Sequence, residues 1–177
     1  MMTISWLRSS KIRFVVVLIT LGLFIIASYW MFIPTQLIFT ITDESSGATV
    51  FYQPVVEGER FKIQFIHSVH LTPVEEYYRI AADPAIVLER VVYETYGVGN
   101  PSGPVDGERY GRQDGKLVID RMNRRMKVIH QRIGQVRANH ILEMSGRSVP
   151  FTTWSQPGSR VKLEVKEVSC IAFMVAT

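Results

Sequence analysis

The distribution of hydrophobic and polar positions divides the chain into two parts. Phe14 to Ile33 is a run of 20 residues with no charge. As a helix it would be roughly 30 Å long, enough to cross the hydrocarbon core of a bilayer. Tyr29, Trp30 and Phe32 suit the interfacial aromatic belt at its far end, and Pro34 supplies the stop. After Pro34 the pattern changes to short runs that alternate apolar and polar residues, the period of half-buried strands.

The clearest alternation lies in Phe61 to Ala81. Phe61, Ile63, Phe65 and His67 share one strand face, apolar until His67. In the following run Val74, Glu76, Tyr78 and Ile80 share a face on which Glu76 is the polar exception. His70-Leu71-Thr72-Pro73 between them has the length of a hairpin loop, and Pro73, which cannot donate to a ladder, suits the start of a strand. Pairing Val69 with Val74 would set His67 opposite Glu76, with Cβ atoms roughly 4.5–5.5 Å apart. This spacing predicts a His67–Glu76 pair at one end of the core.

Further strands are expected at Gln36–Thr42, Ala48–Val56, Ala85–Tyr96, Ala138–Ser145, Ser148–Thr153, Arg160–Val168 and Ser169–Ala176. Pro54 marks the second of these as an edge or an early stop. Lys116–Met122 and Met126–Gly134 read as a hairpin closed near Asn123-Arg124. Gly97 to Gly115, with six glycines and two prolines in 19 residues, reads as one long irregular loop. Many short strands separated by turn signals predict an all-β, antiparallel sandwich or barrel-like domain preceded by one transmembrane helix. The resulting organisation is a basic tail at 1–13, an anchor at 14–33 and a β domain at 35–177.

Charge refines the topology. The 177 residues carry a formal net charge of +4. Arg8, Lys11 and Arg13 account for three of those charges and all precede the apolar run. No Lys or Arg follows the run until Arg60, so the positive-inside rule puts the N-terminus in the cytoplasm and the β domain outside it. Cleavage of a signal peptide after Ser28 is the alternative, and it leaves the domain on the same side. Without its basic flank the chain is nearly neutral, which gives no basis for nucleic-acid binding. Within the domain, residues 43–108 hold 11 acidic and 4 basic side chains, while 109–137 hold 9 basic and 2 acidic. That asymmetry is either a solvated face balanced by the acidic half or a patch for an acidic partner or lipid head groups. Cys170 is the single cysteine, so no intrachain disulfide can form; its apolar surroundings mark it as a small hydrophobe.

The candidate chemistry centres on His67, Ser68, Thr72 and Glu76. A His–Glu couple in a small β domain is either a satisfied structural pair or the core of a ligand-binding or hydrolytic site. His67 and His70 have H-x-x-H spacing, but three residues apart on a strand they would face opposite ways, and zinc wants three or four convergent ligands. No metal or cofactor is therefore expected. No nucleophile elbow or nucleotide-binding glycine loop is present in the sequence.

His67-Ser68, Thr72-Pro73-Val74, Glu76 and Tyr96-Gly97-Val98-Gly99-Asn100-Pro101 together resemble a bacterial and archaeal family, domain of unknown function 1850, over about residues 35 to 175. The resemblance implies no assigned activity. Genes of that family often stand beside tripartite ATP-independent periplasmic transporters. The resemblance thus implies a non-enzymatic accessory of a solute transport system, docking on a permease or solute-binding protein. It adds Tyr96, Gly97, Gly99 and Pro101 as a second rim of the site. The alternative is a small extracytoplasmic hydrolase or ligand-sensing module using the His–Glu pair.

Overall fold

A computed structural model of the chain describes residues 10–95, 105, 107–135 and 139–169. They form two compact units, one over residues 37–167 and one from the N-terminal residues through 36 together with those from 168 on. In the second of these, α1 runs Ser10–Phe32, and its Lys11–Tyr29 stretch is long and apolar enough to cross a membrane. A membrane anchor and a signal sequence both satisfy that description.

The larger unit is built of two antiparallel sheets. One has four strands in the order β2-β1-β12-β9, where β1 is Pro34–Asp43, β2 Thr49–Val55, β9 Val128–Arg132 and β12 Arg160–Ser169. The other follows β11-β10-β3-β4-β5-β7-β6, with β8 added beside β5. Its strands are β3 Arg60–Ile66, β4 Pro73–Ile80, β5 Ile86–Tyr93, β6 Arg109–Gln113, β7 Lys116–Asp120, β8 Arg124–Met126, β10 Ile141–Met144 and β11 Arg147–Pro150. The alternation predicts the buried sides correctly. Phe39 and Ile41 of β1, Phe61 and Ile63 of β3, Val74, Tyr78 and Ile80 of β4, and Val161, Leu163 and Val165 of β12 all enter one core. Phe39 bridges the sheets, its ring 5.0 Å from Phe61, which in turn stacks on Tyr78 at 5.0 Å and 14°. As Pro54 predicts, β2 lies at a sheet edge.

Three expectations are overturned. Arg109–Gln113, expected inside the long irregular stretch, is instead β6, hairpinned to β7 through Asp114-Gly115. Both turn residues have positive φ, 50° and 80°, the conformation that a two-residue hairpin turn requires and that Asp-Gly favours. The expected hairpin closed at Asn123-Arg124 does not form either. β7 pairs with β5 and β6, β8 pairs with β5, and β9 crosses to pair with β12 in the other sheet. The Ser148–Thr153 strand ends at Pro150 and gives way to a 3-10 turn over Phe151–Thr153. The expected strand at Ser169–Ala176 and Cys170 lie outside the described residues, apart from Ser169, which ends β12.

Candidate functional site

The β3–β4 hairpin is present, but its register differs from the expected one. Ile66 pairs with Pro73 and Ile63 with Glu76. The turn therefore starts after Ile66, and His67 to Thr72 form a six-residue loop. His67 is not opposite Glu76, and the predicted couple is not made. The reason lies in the loop itself. His67 N–H donates to Thr72 O at 2.8 Å and Leu71 N–H to His67 O at 2.9 Å. The His67 ring folds back so that Nδ1 accepts from Val69 N–H and His70 N–H, each at 3.3 Å. Four hydrogen bonds are thus made within the loop, an alternative to continuing the strand ladder through His67. With Nδ1 accepting, the neutral ring carries its proton on Nε2.

The alternation nevertheless places His67 correctly as buried, at 7% exposure. His70, drawn in by the turn, packs its ring 4.9 Å from that of His67. Strand geometry would have separated these two rings; the loop joins them. Among the described residues no group of three or more His, Cys, Asp or Glu could hold a metal ion. Two polar atoms of the loop, His70 Nε2 and Thr72 Oγ1, are enclosed and have no hydrogen-bond partner among the described residues. On the outside, Ser68 is exposed, as are Val69 at 66% and Leu71 at 49%. Leu71 holds φ at 56°, the left-handed region, which costs a leucine about 1–2 kcal/mol. The loop is thus a braced knob with two apolar side chains turned outward.

Glycine at position 71 would relieve that strain while adding freedom to the unfolded chain. Leu71→Gly should therefore leave stability unchanged or raise it by under about 1 kcal/mol, read as the urea midpoint of the detergent-solubilised protein.

Glu76 sits on the core face of β4 between Ile63 and Val91. It is partly buried, and its Oε2 accepts from Tyr78 Oη at 2.7 Å. Loss of water around the carboxyl pushes its pKa above the usual range, and the Tyr78 hydroxyl opposes that only in part. Val74 pairs with Tyr93, so the described chain reaches Thr95 at the same end of the sheet as the His67–Thr72 loop. Tyr96, Gly97, Gly99 and Pro101 lie outside the described residues.

The sequence pattern did not mark two further polar side chains as structural. His140 is buried, stacked on Phe65 at 5.0 Å, with Nε2 2.8 Å from the Gln131 amide nitrogen. Asp43 caps the β1–β2 turn: its Oδ1 accepts from the backbone N–H and hydroxyl of Ser45, at 2.8 and 2.5 Å, and its Oδ2 from Ser155 Oγ at 2.5 Å. The Ser155 and Ser45 hydroxyls and the Ser46 N–H hold its pKa well below the usual carboxylate range. Asp43-Glu44-Ser45-Ser46-Gly47 is a turn cluster legible in the sequence, and its capping role follows from the serines two and three positions after Asp43.

The outer face of the larger sheet is laced with ion pairs. Lys62 Nζ is 3.0 Å from Glu143 and 3.8 Å from Glu75, Lys116 reaches Glu75 at 3.5 Å, and Arg90 reaches Asp120 at 3.2 Å. Tyr77 Oη donates to Glu75 at 2.5 Å, and burial together with that carboxylate pushes the Tyr77 pKa up to about 12. The acidic half balances part of the basic run: Arg124 makes a two-pronged contact with Glu108, at 2.8 and 2.9 Å, and Arg125 pairs with Asp83.

Fold and site define a two-sheet antiparallel β domain preceded by an apolar helix, with a braced histidine loop at one end of the larger sheet. The chain belongs to the family described as Domain of unknown function (DUF1850), whose model matches residues 61–151. That span begins at the second residue of β3, ends at Phe151 and so includes nearly all of the larger sheet and the histidine loop. Searches of curated proteins and of solved structures each find no match.

Proposed function

We propose that the protein is a membrane-anchored extracytoplasmic accessory of a solute transport system. It docks on a permease or solute-binding protein through the end of the domain that carries His67 to Thr72. The observation behind this reading is the loop: a left-handed leucine, braced by a buried histidine, keeps Val69 and Leu71 in water. Backbone strain held in place by surrounding bonds is characteristic of recognition sites. Exposed apolar side chains on a rigid scaffold lose little entropy on docking. The basic flank of α1 supports a cytoplasmic N-terminus and an exterior domain, and the transport context is the one implied by the family resemblance. The hydrolase or sensor reading depended on a His67–Glu76 couple, which the register separates.

The test is co-purification. The full chain, tagged after Thr177, is extracted in mild detergent and its companions are identified by mass spectrometry. A stoichiometric multi-spanning permease or a solute-binding protein is expected, and Val69→Asp or Leu71→Asp should release it while the circular dichroism spectrum is retained. Recovery of the protein alone after cross-linking in intact cells would overturn the reading.

A further inference from the structure

We infer that a hollow on the outer face of the larger sheet, beside the β10–β11 turn, is a binding site for a small organic acid with one carboxylate and an apolar or aromatic body. This inference does not depend on the transport reading and uses no residue of the His67–Thr72 loop. The hollow has a volume of about 430 Å³, within the range of small-molecule sites. Its place follows from register. Lys62 pairs with Tyr77 on one side and Glu143 on the other, and Glu143 pairs with Ser148, so these four form one row across β4, β3, β10 and β11. The next pair, Phe61 with Met144, turns its side chains into the core and leaves backbone as the floor. β10 ends there, and Ser145 and Gly146 make the turn. With Ser148 they line the hollow by side chains too short to fill it, while Arg60, Lys62 and Tyr77 supply the taller walls.

The three cations that line the hollow are not equivalent. Arg60 is paired with Glu89 at 3.0 Å, and Lys62 lies 3.0 Å from Glu143 and 3.8 Å from Glu75. Arg147, exposed at the start of β11, has no ion pair among the described residues. One unneutralised cation suits a monoanion, and the forked N–H groups of a guanidinium match the two oxygens of a carboxylate. A phosphate dianion would require more positive charge than remains. The body of the acid then lies against Tyr77 and the methylene stems of Arg60 and Lys62. Ser145 adds a feature that a plain hairpin does not require. Ser145 and Gly146 have φ of 49° and 75°, a two-residue turn that asparagine, aspartate or glycine fills more readily than serine. The Ser145 hydroxyl accepts from Gln53 Nε2 of β2 at 2.5 Å and donates to Glu59 Oε1 at 2.8 Å, so both sheets brace the rim. Backbone strain held in this way is found at ligand clamps, and a rim fixed before binding loses little freedom when the ligand enters.

The probe is 4-fluorophenylacetate, titrated against the detergent-solubilised full chain and followed by fluorine NMR linewidth, with protein-free micelles as the baseline. Saturable binding with a Kd of about 1 mM or tighter is expected, in keeping with the affinity open to a ligand of about a dozen heavy atoms. The uncharged 4-fluorophenylacetamide should bind at least about tenfold more weakly, and so should the acid to Arg147→Gln. Ser148→Trp, which fills the hollow from an exposed strand position with a strand-forming residue, should abolish saturation with the circular dichroism spectrum unchanged. Val69→Asp, in the histidine loop, should leave binding as it is. Equal binding of acid and amide would show that the hollow takes the ring alone and would overturn the inference. Unchanged affinity in Arg147→Gln or Ser148→Trp, or no saturation by about 10 mM probe, would overturn it as well. So would tighter binding of 4-fluorophenyl phosphate, which would mark the hollow as a site for a dianion.

Discussion

Replacing Glu76 with glutamine should make the domain more stable than the native one at pH 8, by about 1–3 kcal/mol, and no more stable at pH 4. Burial raises the Glu76 pKa in the folded state, so the folded domain holds a proton that the unfolded chain releases at the ordinary Glu pKa. Stability is then full below the unfolded pKa and falls as pH rises through the folded one. Glutamine keeps an oxygen for the Tyr78 hydroxyl and has no charge to desolvate, so its stability should be flat across that window. Tyr78→Phe should act in the opposite sense. It removes the only hydrogen bond to the Glu76 carboxylate among the described residues and should cost about 1–3 kcal/mol at pH 8, with a smaller loss at pH 4. Asp43 gives the acid limb. Its folded pKa is depressed, so its contribution is present above the unfolded Asp pKa and is lost as pH falls through the folded value. Urea midpoints of the native, Glu76→Gln and Tyr78→Phe proteins from about pH 2 to about pH 8 would separate these effects. A Glu76→Gln curve parallel to the native one would show that the carboxyl is as well hydrated folded as unfolded.

The same residue shows how much could be read from the chain. Alternation put Glu76 on the core face of a strand beginning at Pro73, and it lies there. Alternation also identified the inward residues of β1, β3 and β12, because each of these strands has one wet and one dry face. It could not fix the register. Phe61, Ile63, Phe65 and His67 keep one phase, and His67 is indeed buried, but period two does not show where the ladder stops. That was decided by the hydrogen bonds His67 makes to its own loop. Nor could alternation say to which sheet a strand belongs. Met126 pairs with Ile86 in the larger sheet, and two residues later Val128 pairs with Glu164 in the smaller one. A single strand over Met126–Gly134 was expected there, whereas the chain changes sheets. The β6–β7 hairpin was legible from Gln113-Asp114-Gly115-Lys116 and was hidden by counting all its glycines as loop.

His67 should be the most informative position in the loop. His67→Ala removes the acceptor for two backbone N–H groups and the ring against which His70 packs. A loss of about 1–3 kcal/mol is expected, since part of the freed backbone can reach water. The larger effect should fall on docking, because Leu71 would no longer be held in its strained backbone and the knob would relax. His67→Asn is the instructive comparison. Its side-chain oxygen can cap the same N–H groups in the manner of an Asx turn, so most of the stability and docking should return. If the ring serves only as a brace, asparagine rescues both. A His67→Asn protein that regains stability without regaining its partner would show that the imidazole ring does more in recognition than brace the loop. The comparison therefore separates a braced surface from a ring with a further part in recognition, with urea midpoints and pull-down yields of the full chain as its two readouts.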